Sequence, residues 1–319
     1  MSSKLVFVFS GMGSQWWGMG RQLLNEEVVF RSVIARCDEL LRQYASWSLW
    51  EELTASKERS RIHETQIAQP AIFSLQIALT ALWRSWGIEP DTIIGHSVGE
   101  VAAAYVSGVL SLEDAVQIIF HRSRIQAQAA GKGRMLAVGL SLEEAERIHA
   151  GYSKIVSIAA INSPNSVTLS GESAALTEIA TSLAQRQIFH RFLRVDVPYH
   201  SPSMEPLKTE LAESLQGINP QAATITLFST VTGRQVLGSE FDATYWVQNM
   251  RNPVLFALAV HGLLQTGHDR FLEISSHPVL VNSICECLAH INKVGTVLPS
   301  LRRQDTERAT MLESLGKLS

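Results

Sequence analysis

The chain alternates between two hydrophobic rhythms, and the points where it switches outline its architecture. Residues 5–9, Leu-Val-Phe-Val-Phe, form an unbroken apolar run that predicts a buried strand, and glycines at 11 and 13 turn the chain after it. Helical spacing follows over about 19–24, 28–43 and 67–86; in the last, Ile67, Ala71, Leu75, Ala78, Leu79 and Leu82 recur at intervals of three and four. A short β-branched strand is expected at 92–95. Helices are expected over 100–107 and 112–130, the second capped by Ser111 with Glu113 and Asp114 in its first turn.

From residue 131 the rhythm shortens. Strands at 135–140, 156–162, 167–170 and 189–195 alternate with helices at 142–150 and 173–187, with a turn at Asn162-Ser-Pro-Asn. This β-α-β-β-α-β order is that of a ferredoxin-like unit. The longer pattern then resumes with a helix at 203–216, a strand at 224–228, a helix at 253–266, a strand at 271–274 and a helix at 278–290, before a polar, helix-like tail. The expected fold is α/β: an α/β-hydrolase-like large subdomain (1–131 and 198–299), an inserted ferredoxin-like subdomain (132–197) and a C-terminal segment (300–319).

Composition narrows the class. With 319 residues, 46% hydrophobic, 18% charged and a formal net charge of −3, the chain can bury a large core and has no basic block suited to nucleic acid. No apolar run approaches the roughly 18 residues of a membrane span, and the N-terminus reads as a first strand rather than a leader. A cytoplasmic protein is expected. Three cysteines, with Cys285 and Cys287 one residue apart, do not match zinc-site spacing, so reduced thiols and no metal are expected.

The chemistry gathers at residues 95–100, Gly95-His-Ser-Val-Gly-Glu, directly after the 92–95 strand. Strand, Gly-x-Ser-x-Gly and helix together are the pattern of a nucleophile elbow, which presents Ser97 at the sheet edge with a helix N-terminus behind it. Among ten histidines the best base is His200, in the two-proline loop Val197-Pro-Tyr-His-Ser-Pro, where the insertion returns the chain to the large subdomain. No aspartate stands in an obvious third position, so a backbone carbonyl or an amide would have to orient the imidazole. Arg122, in an apolar stretch of helix, is either a surface residue whose stem is covered or a buried grip for a substrate carboxylate.

Ordered landmarks now carry a resemblance. Phe9-Ser-Gly-Met-Gly-Ser-Gln, Ala68-Gln-Pro-Ala, Gly95-His-Ser-Val-Gly-Glu, Arg122, Tyr199-His-Ser-Pro-x-Met, Asn252-Pro-Val and Leu298-Pro-Ser-Leu-Arg-Arg span nearly the whole chain. It resembles the malonyl-CoA:acyl-carrier-protein acyltransferase family, in particular the acyltransferase domains of modular polyketide synthases and type I fatty acid synthases. The resemblance implies Ser97 as nucleophile, His200 as general base and acid, and the backbone carbonyl of Asn249 as the support of the imidazole. It implies the N–H groups of Met12 and Val98 as oxyanion donors, Arg122 as the carboxylate-binding residue, and Gln69, Gln15 and Tyr199 as pocket residues.

It further implies acyl-CoA as substrate, the phosphopantetheine of an acyl carrier protein as acceptor, and no cofactor bound by the domain itself. The remaining domains of a megasynthase, including a ketosynthase and its linker, would be its neighbours, with 300–319 as a post-acyltransferase linker. Two departures stand out. Met12 replaces the glutamine common in the first loop, and Val197-Pro-Tyr-His matches neither the His-Ala-Phe-His type associated with malonyl nor the Tyr-Ala-Ser-His type associated with methylmalonyl. Tyr199 and Val98 favour malonyl. Two other readings share the elbow: an α/β-hydrolase-type thioesterase or esterase, and a non-catalytic acyltransferase-like scaffold domain.

Overall fold

In the computed structural model, which describes residues 4–318, two sheets organise the chain. The outermost residues of the expected ranges, 1–3 and 319, lie outside the described part. The larger sheet has six strands: β1 (Lys4–Phe9), β2 (Thr92–Gly95), β7 (Thr226–Ser229), β8 (Arg234–Val236), β9 (His268–Ile274) and β10 (Thr296–Pro299). Their order is β10-β9-β1-β2-β7-β8, parallel except for the β7–β8 pair. The smaller sheet holds β3 (Arg134–Val138), β4 (Val156–Ser163), β5 (Ser166–Gly171) and β6 (His190–Phe192) in the antiparallel order β4-β5-β3-β6.

Between the strands run α1 (Arg21–Glu26), α2 (Val28–Leu41), α3 (Leu49–Thr54), α4 (Thr65–Ser85), α5 (Gly99–Val106) and α6 (Leu112–Gln126), then α7 (Leu142–His149) and α8 (Ser173–Gln185). The remainder are α9 (Lys208–Ser214), α10 (Ala243–Arg251), α11 (Phe256–Gln265), α12 (Val281–His290) and α13 (Glu307–Leu318). None of the described helices is long and apolar enough to cross a membrane.

The continuous apolar run of β1 is explained by its place in the middle of a parallel sheet, covered on both faces: Phe7 and Phe9 join one core, Val6 and Val8 a second. Its register with β2 pairs Phe9 with Gly95. The first Gly-rich loop and the elbow therefore leave the sheet side by side at the carboxyl ends of adjacent strands, where open α/β sheets form their sites. The small sheet has its own core, with Leu136, Val138, Val167 and Leu169 packed on Leu176, Ile179 and Leu183 of α8.

The structure differs from the sequence expectation mainly beyond residue 200. The expected helix 203–216 is split into a 3-10 turn over Pro202–Leu207 and α9, with Pro206 at the break. β8, β10, α3 and α10 were not expected. The start of α11 moves from 253 to Phe256 because the Asn252-Pro-Val segment is extended. That segment forms a parallel bridge to the small sheet: Val254 N–H donates to the Ala159 carbonyl and Ile161 N–H to the Val254 carbonyl, each at 2.9 Å. The C-terminal helix folds back on α1, where the Glu307 carboxylate accepts from the N–H groups of Gly20 at 2.6 Å and Leu23 at 3.1 Å.

Candidate active site

Ser97 sits where β2 meets α5, with a positive φ of 53° that a side chain rarely adopts. The two flanking glycines are steric requirements. A Cβ on Gly95 would run into the backbone of Glu100, and one on Gly99 would penetrate the Phe9 carbonyl. The second obstacle is backbone at the centre of the sheet and cannot move aside. Gly99→Ala is therefore expected to abolish accumulation of soluble folded protein, read by expression and thermal melting; a variant melting within a few degrees of wild type would contradict this.

His200 reaches Ser97 from the far loop, its Nε2 lying 2.7 Å from Ser97 Oγ. It too has a positive φ, 57°, in a loop held by Ser201, whose Oγ donates to the Pro198 carbonyl at 2.6 Å and accepts from Ser203 N–H. The imidazole Nδ1 lies 2.8 Å from the carbonyl oxygen of Asn252. A carbonyl only accepts, so Nδ1 carries the proton and Nε2 is free to accept from the serine hydroxyl.

The expectation that the Asn249 carbonyl does this is thus corrected. Asn249 lies inside α10, whereas Asn252 ends it in an extended conformation (φ −76°, ψ 160°) ahead of Pro253, which turns its carbonyl off the helix axis. The His200 ring is buried, and burial, reinforced by the Arg122 charge and then by His96, lowers its pKa to about 3. It stays neutral, as a base must.

Arg122 is 1% exposed and spans the floor of the site. Its Nη2 donates to Ser97 Oγ at 3.3 Å, Nη1 to Gln69 Oε1 at 2.8 Å and Gln126 Oε1 at 2.9 Å, and Nε to Asn249 Oδ1 at 3.0 Å. Every one of these acceptors is a neutral oxygen. Burial lowers its pKa to about 10, which leaves it charged at neutral pH. A buried cation whose direct hydrogen bonds all go to neutral oxygens, with the nearest carboxylate, Glu100, one amide away, retains an attraction for an anion brought close to the serine.

The remaining expected residues divide. Gln69 joins the cluster, donating through Nε2 to Gln126 Oε1 at 2.7 Å. Tyr199 is buried, with its hydroxyl 2.6 Å from Thr65 Oγ1. Gln15 folds on its own loop, accepting from Gly13 N–H at 2.8 Å, and no hydrogen bond ties it to Ser97, His200 or Arg122. Met12 lies in that same loop, and Val98 directly precedes α5. No group of acidic, histidine and cysteine side chains suited to a metal occurs among the described residues, and Cys37, Cys285 and Cys287 are free thiols.

Four site neighbours escaped the sequence reading. Gln126 follows Arg122 by four residues on one helix, a spacing that pairs side chains. The Asn249 side chain and Glu100 form the layer beneath Arg122. Asn162, expected where the 156–162 strand meets its turn, lies in β4, and its Oδ1 is 2.8 Å from His96 Nε2, joining the small sheet to the elbow.

A family profile described as "Acyl transferase domain" matches residues 6–319. The chain belongs to that family. This acyl transferase domain is 40% identical over 316 residues to the spectinabilin polyketide synthase system protein NorA' of Streptomyces orinoci. It is 38% identical over 314 residues to erythronolide synthase EryA2 of Saccharopolyspora erythraea. The two alignments cover 99% and 98% of the domain but only 9% of either relative, so the chain is similar to one segment of modular polyketide synthases.

Among solved structures, the loading acyltransferase of the avermectin modular polyketide synthase superposes with a TM-score of 0.94 at 36% identity, covering 98% of this chain and 99% of that one. The acyltransferase domain of module 8 of the salinomycin polyketide synthase gives 0.95 at 36% identity over 98% and 74% of the two chains. The SpnD acyl transferase domain, solved in complex with 2-(pent-4-yn-1-yl)malonyl, gives 0.88 at 27% identity over 99% and 76%. These matches share the mixed α/β architecture with its separate antiparallel sheet. The domain is an acyltransferase domain of the modular polyketide synthase type.

Proposed function

We propose that this domain transfers a malonyl unit from malonyl-CoA to the phosphopantetheine thiol of an acyl carrier protein through an ester on Ser97. The observation that carries the reading is the convergence on one hydroxyl of a neutral imidazole at 2.7 Å and a buried guanidinium at 3.3 Å. A hydrolase needs the first; only an acyl group with a free carboxylate uses the second. The malonyl-type group held by the SpnD relative supports the same substrate class.

In the proposed reaction Ser97 Oγ bonds to the thioester carbonyl carbon while its proton passes to His200 Nε2. The C–S bond then breaks, and the imidazolium returns the proton to the departing CoA thiolate. The carrier-protein thiol attacks the ester in the second half, giving its proton to His200, which passes it to Ser97 as the C–O bond breaks. The oxyanion of each tetrahedral intermediate is assigned to the N–H groups of Met12 and Val98. Val98 stands at the start of α5, where the next two N–H groups, of Gly99 and Glu100, are spent on the carbonyls of His96 and Ser97. Loss of one such donor costs about 3 kcal/mol of barrier.

Within a synthase, residues 1–131 and 198–299 would form the catalytic subdomain and 132–197 the smaller wall of the cleft. Residues 300–319 would form a linker that wraps back; the Glu307 clasp on α1 supports this last assignment. Carrier protein, ketosynthase and linker are the partners this role requires.

Malonyl is favoured over methylmalonyl because the Tyr199 ring, whose hydroxyl is held by Thr65, would crowd the space that an α-methyl needs. A methyl group is worth about 1–3 kcal/mol in such a pocket. Incubation with equal amounts of both CoA esters, followed by intact-protein mass measurement, is expected to show mainly the malonyl adduct; a dominant methylmalonyl adduct would refute the preference.

A further inference from the structure

Beneath Arg122 lies a second buried ionisable group that the proposed chemistry does not use. Glu100, the second residue of α5, is 1% exposed, and its carboxylate has no cation in hydrogen-bond contact. It accepts from Thr230 N–H at 2.8 Å, from the Tyr245 hydroxyl at 3.0 and 3.1 Å, and from Asn249 Nδ2 at 2.8 Å. Asn249 is the bridge. Its Nδ2 also donates to the Ser97 carbonyl at 3.1 Å, while its Oδ1 accepts from Arg122 Nε at 3.0 Å.

We propose that Glu100 is a positioning residue which, through Asn249, aims the Arg122 guanidinium and thereby sets the preference of the site for acyl groups with a free carboxylate.

The argument is one of donor and acceptor parity. An ionised carboxylate only accepts, and so does the Ser97 carbonyl. Both lie on one edge of the Asn249 amide, so that edge must be the NH2 group. The opposite edge is then oxygen, and oxygen is what a guanidinium needs. Tyr245 and Thr230 fix the carboxylate in turn: the Tyr245 hydroxyl is 2.7 Å from Ser229 Oγ, and Thr230 Oγ1 donates to the Gly95 carbonyl at 2.9 Å. The chain of contacts runs from the end of β7 through Glu100 and Asn249 to Arg122 without a gap. Burial pushes the Glu100 carboxyl up to about 7, against the lowering effect of Thr230, Asn249 and Tyr245, so its charge is present above that pH. Glutamine at position 100 has a single oxygen for two fixed donors, Thr230 N–H and Asn249 NH2, and one of them loses its acceptor.

The inference rests on Arg122 as the carboxylate grip, so the test separates the two ideas. Wild type, Glu100→Gln, Asn249→Ala and Arg122→Ala are compared at pH 8 for the rate of Ser97 acylation by malonyl-CoA and by acetyl-CoA, with circular dichroism and melting curves as checks of folding. Glu100→Gln and Asn249→Ala are each expected to raise the KM for malonyl-CoA at least tenfold while changing acetyl loading less than threefold. Equal losses with both substrates, or none with either, would overturn the role of Glu100. If Glu100→Gln fails to fold, an unchanged malonyl preference in Asn249→Ala still overturns the proposal, because the proposed route from Glu100 to Arg122 runs through Asn249. Should Arg122→Ala retain the wild-type preference for malonyl, the carboxylate grip itself is wrong. Loss of preference in Arg122→Ala alone leaves the grip standing and refutes Glu100.

Discussion

His200→Ala is expected to slow acylation of Ser97 by about 10²–10⁴-fold, the usual contribution of a placed general base. Nothing else in the cluster can take the proton: Arg122 is charged, and Gln69, Gln126 and Asn249 present amides. His96, next in sequence to the serine, has its Nε2 turned to Asn162 in the small sheet. The wild-type base should also be insensitive to mild acid. With its pKa lowered to about 3, chiefly by burial and then by the Arg122 charge, His200 remains unprotonated as pH falls from 8 to 5. Acetyl-CoA loading, measured as a single turnover, is therefore expected to lack an acid limb near about 6.5, where an ordinary histidine titrates. A limb there would contradict the lowered pKa of the base, whereas wild-type rates in His200→Ala would remove the histidine from the mechanism.

Arg122→Ala is expected to reduce malonyl loading by about 10²-fold or more while preserving measurable loading from acyl-CoA without a free carboxylate. Removing one side of a desolvated ion pair costs about 3–5 kcal/mol, which sets that scale. The variant should also melt lower than wild type, because Gln126 Oε1 and the facing oxygens of Gln69 and Asn249 lose a donor together. The comparison of substrates separates the effects, since a general loss of stability lowers both rates alike. Malonyl loading at the wild-type rate would mean that the carboxylate is held elsewhere.

Much of this site was legible because its chemistry is local in sequence. The elbow needs two glycines at fixed offsets from Ser97, and a strand before them, and all of that lies within residues 92–100. The ferredoxin-like order was legible for the same reason: four short strands and two helices alternate without long interruptions, and Ser141 caps its helix with a full capping box. Arg122 was visible as a charged residue in an apolar stretch, but its burial was not, since spacing alone fits both a covered stem and a buried grip.

What escaped depends on tertiary contact. The α10 helix hid because its buried side includes Asn249, a polar residue that breaks the apolar pattern yet is satisfied in three dimensions by Ser97, Glu100 and Arg122. The resemblance placed the imidazole partner inside this helix, three residues before the carbonyl that His200 meets. Which carbonyl is exposed depends on where Pro253 ends the helix, and no periodicity marks that point. Asn162 is legible as the end of the 156–162 strand, but its contact with His96 depends on how the two sheets pack and leaves no mark in the sequence.

The central claim is a covalent ester on Ser97 bearing a free carboxylate. Intact-protein mass measurement after brief incubation with malonyl-CoA tests it most directly, with peptide mapping of the product and Ser97→Ala in parallel. The expected result is a single malonyl increment on the peptide containing Ser97, absent from Ser97→Ala and discharged by added holo acyl carrier protein. An unmodified protein, or a malonyl group on any other residue, would contradict it.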